Sequence, residues 1–191
     1  MQTTIARNEK SKFLIDVERI RREARARLDD GAVTSTYGAD LETSLKLLDG
    51  ALATEWICVL RYTQHSLAAA GLHAEPVAAE FREHAAEEQG HAMALAERIK
   101  QLGGNPSLNP KTLVEKSHAD YKECDNLLDM IRENLVAERI AVSAYTEMVR
   151  YFGNDDPTSR QLIEGILAVE EEHADDMADL LKAIDPEAKL D

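Results

Sequence analysis

The sequence predicts an all-α protein: a four-helix bundle with one long crossover connection and a helical arm at its N-terminus. Three observations predict this fold. Four long segments repeat apolar residues every three or four positions, which is the period of one helix face. Aromatic residues are few, at 5%, as is typical of chains built from long helices. The connections between the four segments are short, long and short, which indicates two antiparallel hairpins joined by a crossover.

The chain is divided into three parts: an N-terminal helical arm (residues 1–37), the bundle (residues 38–186) and a short C-terminal tail (residues 187–191). In the arm, five residues form one face of a short amphipathic helix: Phe13, Val17, Ile20, Ala24 and Leu28. The run Asp29–Gly31 is expected to end it. The arginines of this segment alternate with acidic residues, which favours a surface helix that packs on the bundle or on a neighbouring subunit. An arm that touches DNA is the alternative.

The four bundle helices are bounded by local signals. The first is predicted over residues 40–71, where Gly71 suits a C-terminal cap. The second begins at residues 75–76, with proline in its first turn, and stops at residues 103–104. The third spans about 122–152, and the fourth runs from 156 to 185. Residues 105–121, which contain two prolines, form the long connection, and its length allows it to run along the whole bundle.

Acidic residues interrupt the apolar stripes of all four helices. The second and fourth helices carry Glu-x-x-His pairs, Glu88–His91 and Glu170–His173, and the first and third each carry one glutamate, Glu55 and Glu138. Glu55 precedes Glu88 by 33 residues and Glu138 precedes Glu170 by 32, so the chain is a helix pair used twice. An unpaired carboxylate in an apolar interior is very costly. A metal ion compensates it, and Glu-x-x-His presents an oxygen and a nitrogen to the same point.

If the four stripes converge, these side chains form a site for two metal ions. Four glutamates carry a charge of −4, which two divalent cations neutralise. Carboxylates suit hard, oxidisable ions, and one imidazole per ion adds affinity and leaves coordination positions open. We expect Glu88 and Glu170 to bridge the ions. The expected terminal ligands are Glu55 and Glu138, with His91 and His173 one to each metal.

Other polar residues near the stripes have plainer interpretations. Glu115–His118 is a third Glu-x-x-His match, but it lacks an apolar stripe and is interpreted as solvent-exposed. Tyr62 and Tyr145 follow the lone glutamates by two turns and are interpreted as core aromatics that form hydrogen bonds through their hydroxyls. Alternatively, Tyr62 supplies an electron or orients a metal-bound species. His84 is interpreted as a hydrogen-bond partner and not a ligand.

The order Glu, Glu-x-x-His, Glu, Glu-x-x-His resembles the di-iron signature of the bacterioferritin branch of the ferritin-like superfamily, over residues 37–185. The resemblance implies a ferritin-like four-helix bundle, two irons per subunit as cofactor, and ferroxidase ligands at the six positions given above. Tyr62 and His65 also match family positions. The resemblance further implies that Fe(II) is oxidised by oxygen or hydrogen peroxide and that ferric mineral is held in a hollow homo-oligomer.

The chain departs from the bacterioferritin pattern in two respects. Gln89 stands where bacterioferritins carry a haem-ligating methionine, so haem is not expected. The arm and the crossover are long, and a cage of 12 subunits, as in the DNA-protecting mini-ferritins, is therefore an alternative to the usual 24. True mini-ferritins place their metals between subunits, whereas the complete ligand set here favours a site within one chain.

Composition excludes several classes of partner. The formal net charge of −14 argues against general affinity for nucleic acid or anionic membranes and suits a protein that attracts cations. No apolar run approaches the ~20 residues that cross a bilayer, and residues 1–12 lack the apolar core of a signal peptide. Two cysteines, Cys58 and Cys124, do not indicate a disulfide scaffold, so a cytoplasmic location is expected.

The leading functional hypothesis is an iron-oxidising protein that stores or detoxifies iron in a ferritin-like cage, and hence an enzyme, a ferroxidase. The first alternative is a non-storage di-iron or di-manganese peroxidase or oxygenase that uses the same ligands. The second is a Dps-like protein that protects DNA, which depends on the arginine-containing arm.

Overall fold

The computed structural model describes residues 15–185, which divide into two compact units with the boundary between Thr36 and Tyr37. The first unit contains α1 (Val17–Ala26) and a 3-10 turn (Leu28–Asp30). Helix α1 is capped by Asp16, whose side chain accepts a hydrogen bond from the Arg19 backbone N–H. Helix α1 ends at Ala26, so the arm helix is slightly shorter than the sequence predicts. Phe13, assigned to its apolar face, lies outside the described residues.

The second unit is a bundle of four long helices, and no strand occurs in residues 15–185. Its elements are α2 (Leu41–Ala68), α3 (Ala74–Gln101), the short α4 (Pro110–Lys116), α5 (Leu127–Phe152) and α6 (Pro157–Ile184). Helix α2 packs mainly against α3, and α5 mainly against α6. The predicted all-α bundle of two hairpins and one crossover is confirmed.

Side-chain caps fix where three of the long helices begin. Asp40, Asn126 and Asp156 each accept a hydrogen bond from the backbone N–H three residues further on, at the start of α2, α5 and α6. Pro157 occupies the first turn of α6, where its missing N–H has no cost. Helix α5 ends at Phe152 and is capped by Gly153, which adopts a φ of +42°.

The crossover differs from the prediction in two ways. It contains α4, which begins at Pro110 under a cap from Asn109, and Leu113 of this helix packs in a small cluster with Ala53 and Ile57 of α2. The third long helix was expected from about residue 122 but begins at Leu127. The reason is local, since Asn126 caps the first turn there.

The apolar stripes of α2, α3, α5 and α6 converge on one core. Phe81, Ile131 and Met177 pack together with Cys58, and Cys124 packs against the same cluster; both thiols are free. On α6 the apolar stripe is buried from Ile163 to Met177 and ends with the buried Leu181, whereas Leu180 is half-buried. Across residues 15–185, every helix is too short or too polar to span a bilayer.

Candidate metal centre

All six predicted ligand residues meet in the middle of the bundle. Each lies on the core-facing stripe of its helix: Glu55 on α2, Glu88 and His91 on α3, Glu138 on α5, and Glu170 and His173 on α6. Five of the side chains are at most 2% exposed, and His91 is 14% exposed. Such burial of four carboxylates is compatible with folding only if their charge is compensated.

The six side chains form two overlapping groups of four. One consists of Glu55, Glu88, His91 and Glu170; the other consists of Glu88, Glu138, Glu170 and His173. Within each group, one potential ligand atom from every residue lies within 4.8 Å of the others. Glu88 and Glu170 belong to both groups. These are the two residues for which the sequence predicts a bridging role.

The two imidazoles point at the shared carboxylates. His91 Nδ1 lies 3.0 Å from Glu170 Oε1, 3.3 Å from Glu88 Oε2 and 3.4 Å from Glu55 Oε2. His173 Nδ1 lies 3.3 Å from Glu88 Oε1 and 4.0 Å from Glu170 Oε2. In both rings Nδ1 is therefore the atom available to a metal.

The other nitrogen of His173 is held by a residue that sequence reasoning missed. His173 Nε2 lies 2.8 Å from Glu87 Oε2, so the ring N–H donates to that carboxylate. The proton is then on Nε2, and the Nδ1 lone pair faces the glutamates. A carboxylate behind the imidazole is the usual arrangement for a metal-binding histidine, since it fixes tautomer and orientation.

Two tyrosines hold the lone glutamates in a reciprocal arrangement. Tyr62 on α2 donates a 2.5 Å hydrogen bond to Glu138 Oε1 on α5, and Tyr145 on α5 donates to Glu55 Oε1 on α2. Both tyrosines are fully buried. The prediction of core aromatics with hydrogen-bonded hydroxyls therefore describes the contacts observed. Each lone glutamate keeps its second oxygen for another partner.

Several potential metal-ligand atoms of the cluster have no hydrogen-bond partner. Among the described residues, five buried atoms of these side chains have no hydrogen-bond partner: Glu55 Oε2, Glu88 Oε1, Glu138 Oε2, Glu170 Oε1 and His173 Nδ1. Leaving a buried acceptor unpaired costs about 1–3 kcal/mol, and more for a charged group. All five can donate a lone pair and all belong to the two groups, so the residues present fit a pair of metal ions.

The electrostatics of the cluster without metal favour bound protons. Burial, and then the charge of Glu88, raises the pKa of Glu55 well above its usual value; burial and the charge of Glu170 do the same to the pKa of Glu138. Burial raises the pKa of Glu170 to about 8. Burial opposes a charged His91, but its carboxylate neighbours outweigh this and raise its pKa to about 12. Metal binding must therefore displace protons.

Two further side chains flank one half of the cluster. Arg61 is 2% exposed and donates to Asn134 Oδ1 at 2.8 Å and to the Asp120 carbonyl at 3.1 Å, which places a permanent positive charge beside the site. His84 is also 2% exposed; its Nδ1 lies 3.1 Å from the Tyr62 hydroxyl, as the hydrogen-bonding interpretation expects. Burial and the neighbouring His173 lower the pKa of His84 to about 3.

Three residues singled out in the sequence lie outside the cluster. Glu115 and His118 are exposed and belong to neither group, as predicted for that third Glu-x-x-His match. His65 is buried against the Phe81 ring, with a centroid separation of 6.0 Å.

Comparison with known proteins supports the assignment of the fold. Residues 45–185 match the model of the family described as ferritin-like domain. The DNA protection during starvation protein of Pyrococcus furiosus is 33% identical over 147 residues, which cover 71% of this chain and 75% of that protein.

Two solved structures are also similar. A dodecameric thioferritin, the bacterioferritin-related protein from Bacteroides fragilis, has a TM-score of 0.74 and 33% identity, covering 77% of this chain and 89% of that one. The bacterioferritin of Desulfovibrio desulfuricans has a TM-score of 0.68 at 20% identity, covering 77% and 82% of the two chains, and supports the fold alone.

Proposed function

The chain belongs to the ferritin-like domain family, and on that premise we propose that it is a ferroxidase that oxidises Fe(II) at a dinuclear site within one chain. The ferric product is stored as mineral inside a hollow homo-oligomer. The observation that carries this proposal is the pair of overlapping donor groups: both are complete without a second chain, and they share Glu88 and Glu170.

The chemistry follows from the donor set. Two Fe(II) ions supply two electrons, which with two protons reduce hydrogen peroxide to two waters, or oxygen to hydrogen peroxide. Four carboxylates favour the more highly charged ferric product, because hard anionic oxygens bind hard cations well. Tyr62 and Tyr145 hold the terminal carboxylates in position, and Glu87 orients His173. Haem is no part of this proposal, since Gln89 is an exposed amide.

We propose a cage of 12 subunits. The 33%-identical Bacteroides fragilis protein is described as dodecameric, which supports this number over 24. We place the protein in the cytoplasm, because Cys58 and Cys124 are both free thiols.

DNA protection is the second candidate function, and the Pyrococcus furiosus relative is the observation that favours it. The described part of the arm weakens it. Residues 15–36 contain five arginines and five acidic residues and so carry no net charge. Arg19 pairs with Glu23 at 2.8 Å, and Arg21 with Glu18 at 2.8 Å. Salt-sensitive retention of duplex DNA, lost on deleting residues 1–30, would favour this second function.

Iron loading tests the proposed function. Metal-free protein given Fe(II) and then oxygen or peroxide is expected to form ferric iron that co-elutes with a large particle during size exclusion. A storage cage takes up far more iron than the two ions its own site can bind. Turnover without retained iron would instead indicate a non-storage peroxidase or oxygenase, and the absence of oxidation would contradict the proposal.

Glu87→Gln is expected to weaken metal binding at the half of the site that contains His173. The amide cannot accept the ring proton with the strength of a carboxylate, and loss of such a partner typically costs 10–100-fold in metal affinity. Equilibrium titration with Zn(II) measures this effect. Glu83→Gln is the matched control, since Glu83 is an exposed glutamate on the same helix. Equal affinities in the two variants would show that Glu87 does not position His173.

A further inference from the structure

A second group of metal-binding side chains lies beside the proposed centre. It consists of Glu80 and His84 on α3 and Asp176 on α6, whose ligand atoms lie within 4.8 Å of one another. His84 Nε2 is 3.5 Å from Glu80 Oε1 and 3.5 Å from Asp176 Oδ2. The two carboxylate side chains are 35% and 44% exposed, whereas the imidazole is 2% exposed. The group therefore opens to solvent and has a buried histidine at its base.

Hydrogen bonding assigns the tautomer of His84. Tyr62 has one hydroxyl proton and donates it to Glu138, which is ionised when it holds a metal. The Tyr62 oxygen must then accept the hydrogen bond from His84 Nδ1, at 3.1 Å. The neutral ring consequently carries its proton on Nδ1, and Nε2 presents a lone pair to the two carboxylates.

With that tautomer, three lone-pair donors lie together at the outer group: His84 Nε2, Glu80 Oε1 and Asp176 Oδ2. His84 Nε2 faces the carboxylate oxygens of Glu80 and Asp176 at 3.5 Å each, and the ring is almost fully buried. The His84 ring stacks on His173, with 3.9 Å between ring centroids, so the outer group directly adjoins the proposed centre. A divalent cation bound by all three side chains satisfies these lone pairs.

We propose that Glu80, His84 and Asp176 bind a third divalent transition-metal ion, and that this site supplies Fe(II) to the position beside His173. One nitrogen and two carboxylate oxygens suit Fe(II), Mn(II) or Zn(II). The supply role rests on the proposed ferroxidase function, and the tautomer of His84 rests on metal at Glu138; the grouping of the three side chains rests on neither.

Further potential metal ligands lie between this group and the proposed centre. His84, Glu87 and His173 form a further group whose ligand atoms lie within 4.8 Å of one another. His84 is thus shared with the exposed carboxylates, and His173 with the dinuclear site. These three side chains place the outer group next to the dinuclear site, although His173 Nε2, which donates to Glu87, is itself no ligand.

Among residues 15–185, the pseudo-symmetric counterpart of this group, which itself spans α3 and α6, offers no such ligands. Given the 82-residue offset between Glu88 and Glu170, the positions that correspond to Glu80 and His84 are Leu162 and Ile166. The third site therefore breaks the internal pseudo-symmetry of the bundle, and only one of the two inner metal positions is supplied in this way.

Metal counting tests the site. Equilibrium titration of the full chain with Zn(II) is expected to give three ions per chain, one of them weaker than the other two. The double variant Glu80→Gln/Asp176→Asn is expected to bind two. The matched control is Glu83→Gln/Asp175→Asn, which makes the same charge change at exposed positions on the same two helices and is expected to bind three. A difference peak in anomalous scattering between Glu80, His84 and Asp176 locates the ion.

Two outcomes overturn the site: a wild-type chain that binds only two ions, or a third ion that survives in Glu80→Gln/Asp176→Asn. Glu88→Gln separates the two proposals, because it is expected to lose inner ions and keep the outer one.

Slower oxidation in the double variant at limiting Fe(II), with an unchanged rate at saturating Fe(II), supports the supply role. An unchanged rate at limiting Fe(II) contradicts that role. Zn(II) at the outer site with no Fe(II) oxidation in the wild type would remove the ferroxidase proposal and leave the site standing.

Discussion

Glu88→Gln is expected to lower the rate of Fe(II) oxidation by more than ~100-fold. Loss of a residue that merely supports a ligand costs 10–100-fold in affinity or activity, and Glu88 faces both donor groups directly. The amide keeps the size of the side chain but removes the negative charge and one of the two shared carboxylates. Stopped-flow absorbance of the ferric product measures the rate, and Glu170→Gln is expected to behave in the same way.

Glu115→Gln is the matched control for this prediction. Glu115 belongs to the third Glu-x-x-His match in the sequence but is exposed and lies outside both donor groups. It is expected to leave the rate unchanged. Thermal unfolding of each variant without metal separates a lost ligand from a lost fold. Normal oxidation by folded Glu88→Gln would contradict the assignment of the site.

Metal-free protein is expected to lose stability as the pH rises, and bound metal is expected to remove most of this dependence. Burial raises the pKa of Glu55 and Glu138, and raises that of Glu170 to about 8. The folded chain thus holds protons that the unfolded chain releases above its usual glutamate pKa of about 4.5. The resulting stability is complete below pH 4.5 and is lost as the pH rises through the folded values. The pKa of His91 is raised to about 12, so this residue also makes the stability of the metal-free protein fall as the pH rises above 6.5.

The effect of metal on unfolding is expected to be large. Each extra proton held by the folded state costs about 1.4 kcal/mol of stability per pH unit. A ligand present at 100 times its dissociation constant contributes about 2.7 kcal/mol per site, so two ions contribute about 5 kcal/mol. For a chain of this size that corresponds to roughly 10–20 °C in melting temperature.

Scanning calorimetry at pH 6 and pH 8, with and without Mn(II), measures this change. We expect the metal-induced rise in melting temperature to be greater at pH 8, and to be small in Glu88→Gln. A metal-free protein equally stable at both pH values, with no response to Mn(II), would show that the carboxylates are not held as described.

The parts of the site that depend on helix period alone could be predicted from the sequence. Glu88 and His91 are three residues apart, as are Glu170 and His173, and this spacing puts each pair on one face whatever the neighbouring helices do. The apolar residues around them identify that face as the buried one. The repeat of the helix pair then indicates that the lone glutamates, Glu55 and Glu138, lie opposite. Local spacing was sufficient because every ligand lies within a long regular helix.

Contacts that cross between helices could not be predicted. The pairing of Tyr62 with Glu138, and of Glu87 with His173, depends on the relative rotation and translation of packed helices, which a single sequence does not specify. Glu87 in particular has an exposed side chain and belongs to no apolar stripe. Sequence reasoning identified His84 as a hydrogen-bond partner but gave no sign of the carboxylates that face its other nitrogen.

The predicted helix bounds were wrong where a side-chain cap, and not the spacing of apolar residues, decides where a helix begins. Helix α5 begins at Leu127 because the Asn126 side chain binds the Asp129 N–H, and residues 122–126 are not helical. Helix α4 is only seven residues long, which is too short to show a clear period. Pro110 occupies the first turn of this helix, where proline is well tolerated.

Anomalous diffraction from crystals loaded with Fe(II), Mn(II) or Zn(II) tests the assignment of the dinuclear site. We expect two peaks enclosed by one chain between Glu88 and Glu170, one beside His91 and Glu55 and the other beside His173 and Glu138. A cluster that stays free of metal at saturating concentrations, or peaks that need ligands from a second chain, would contradict it.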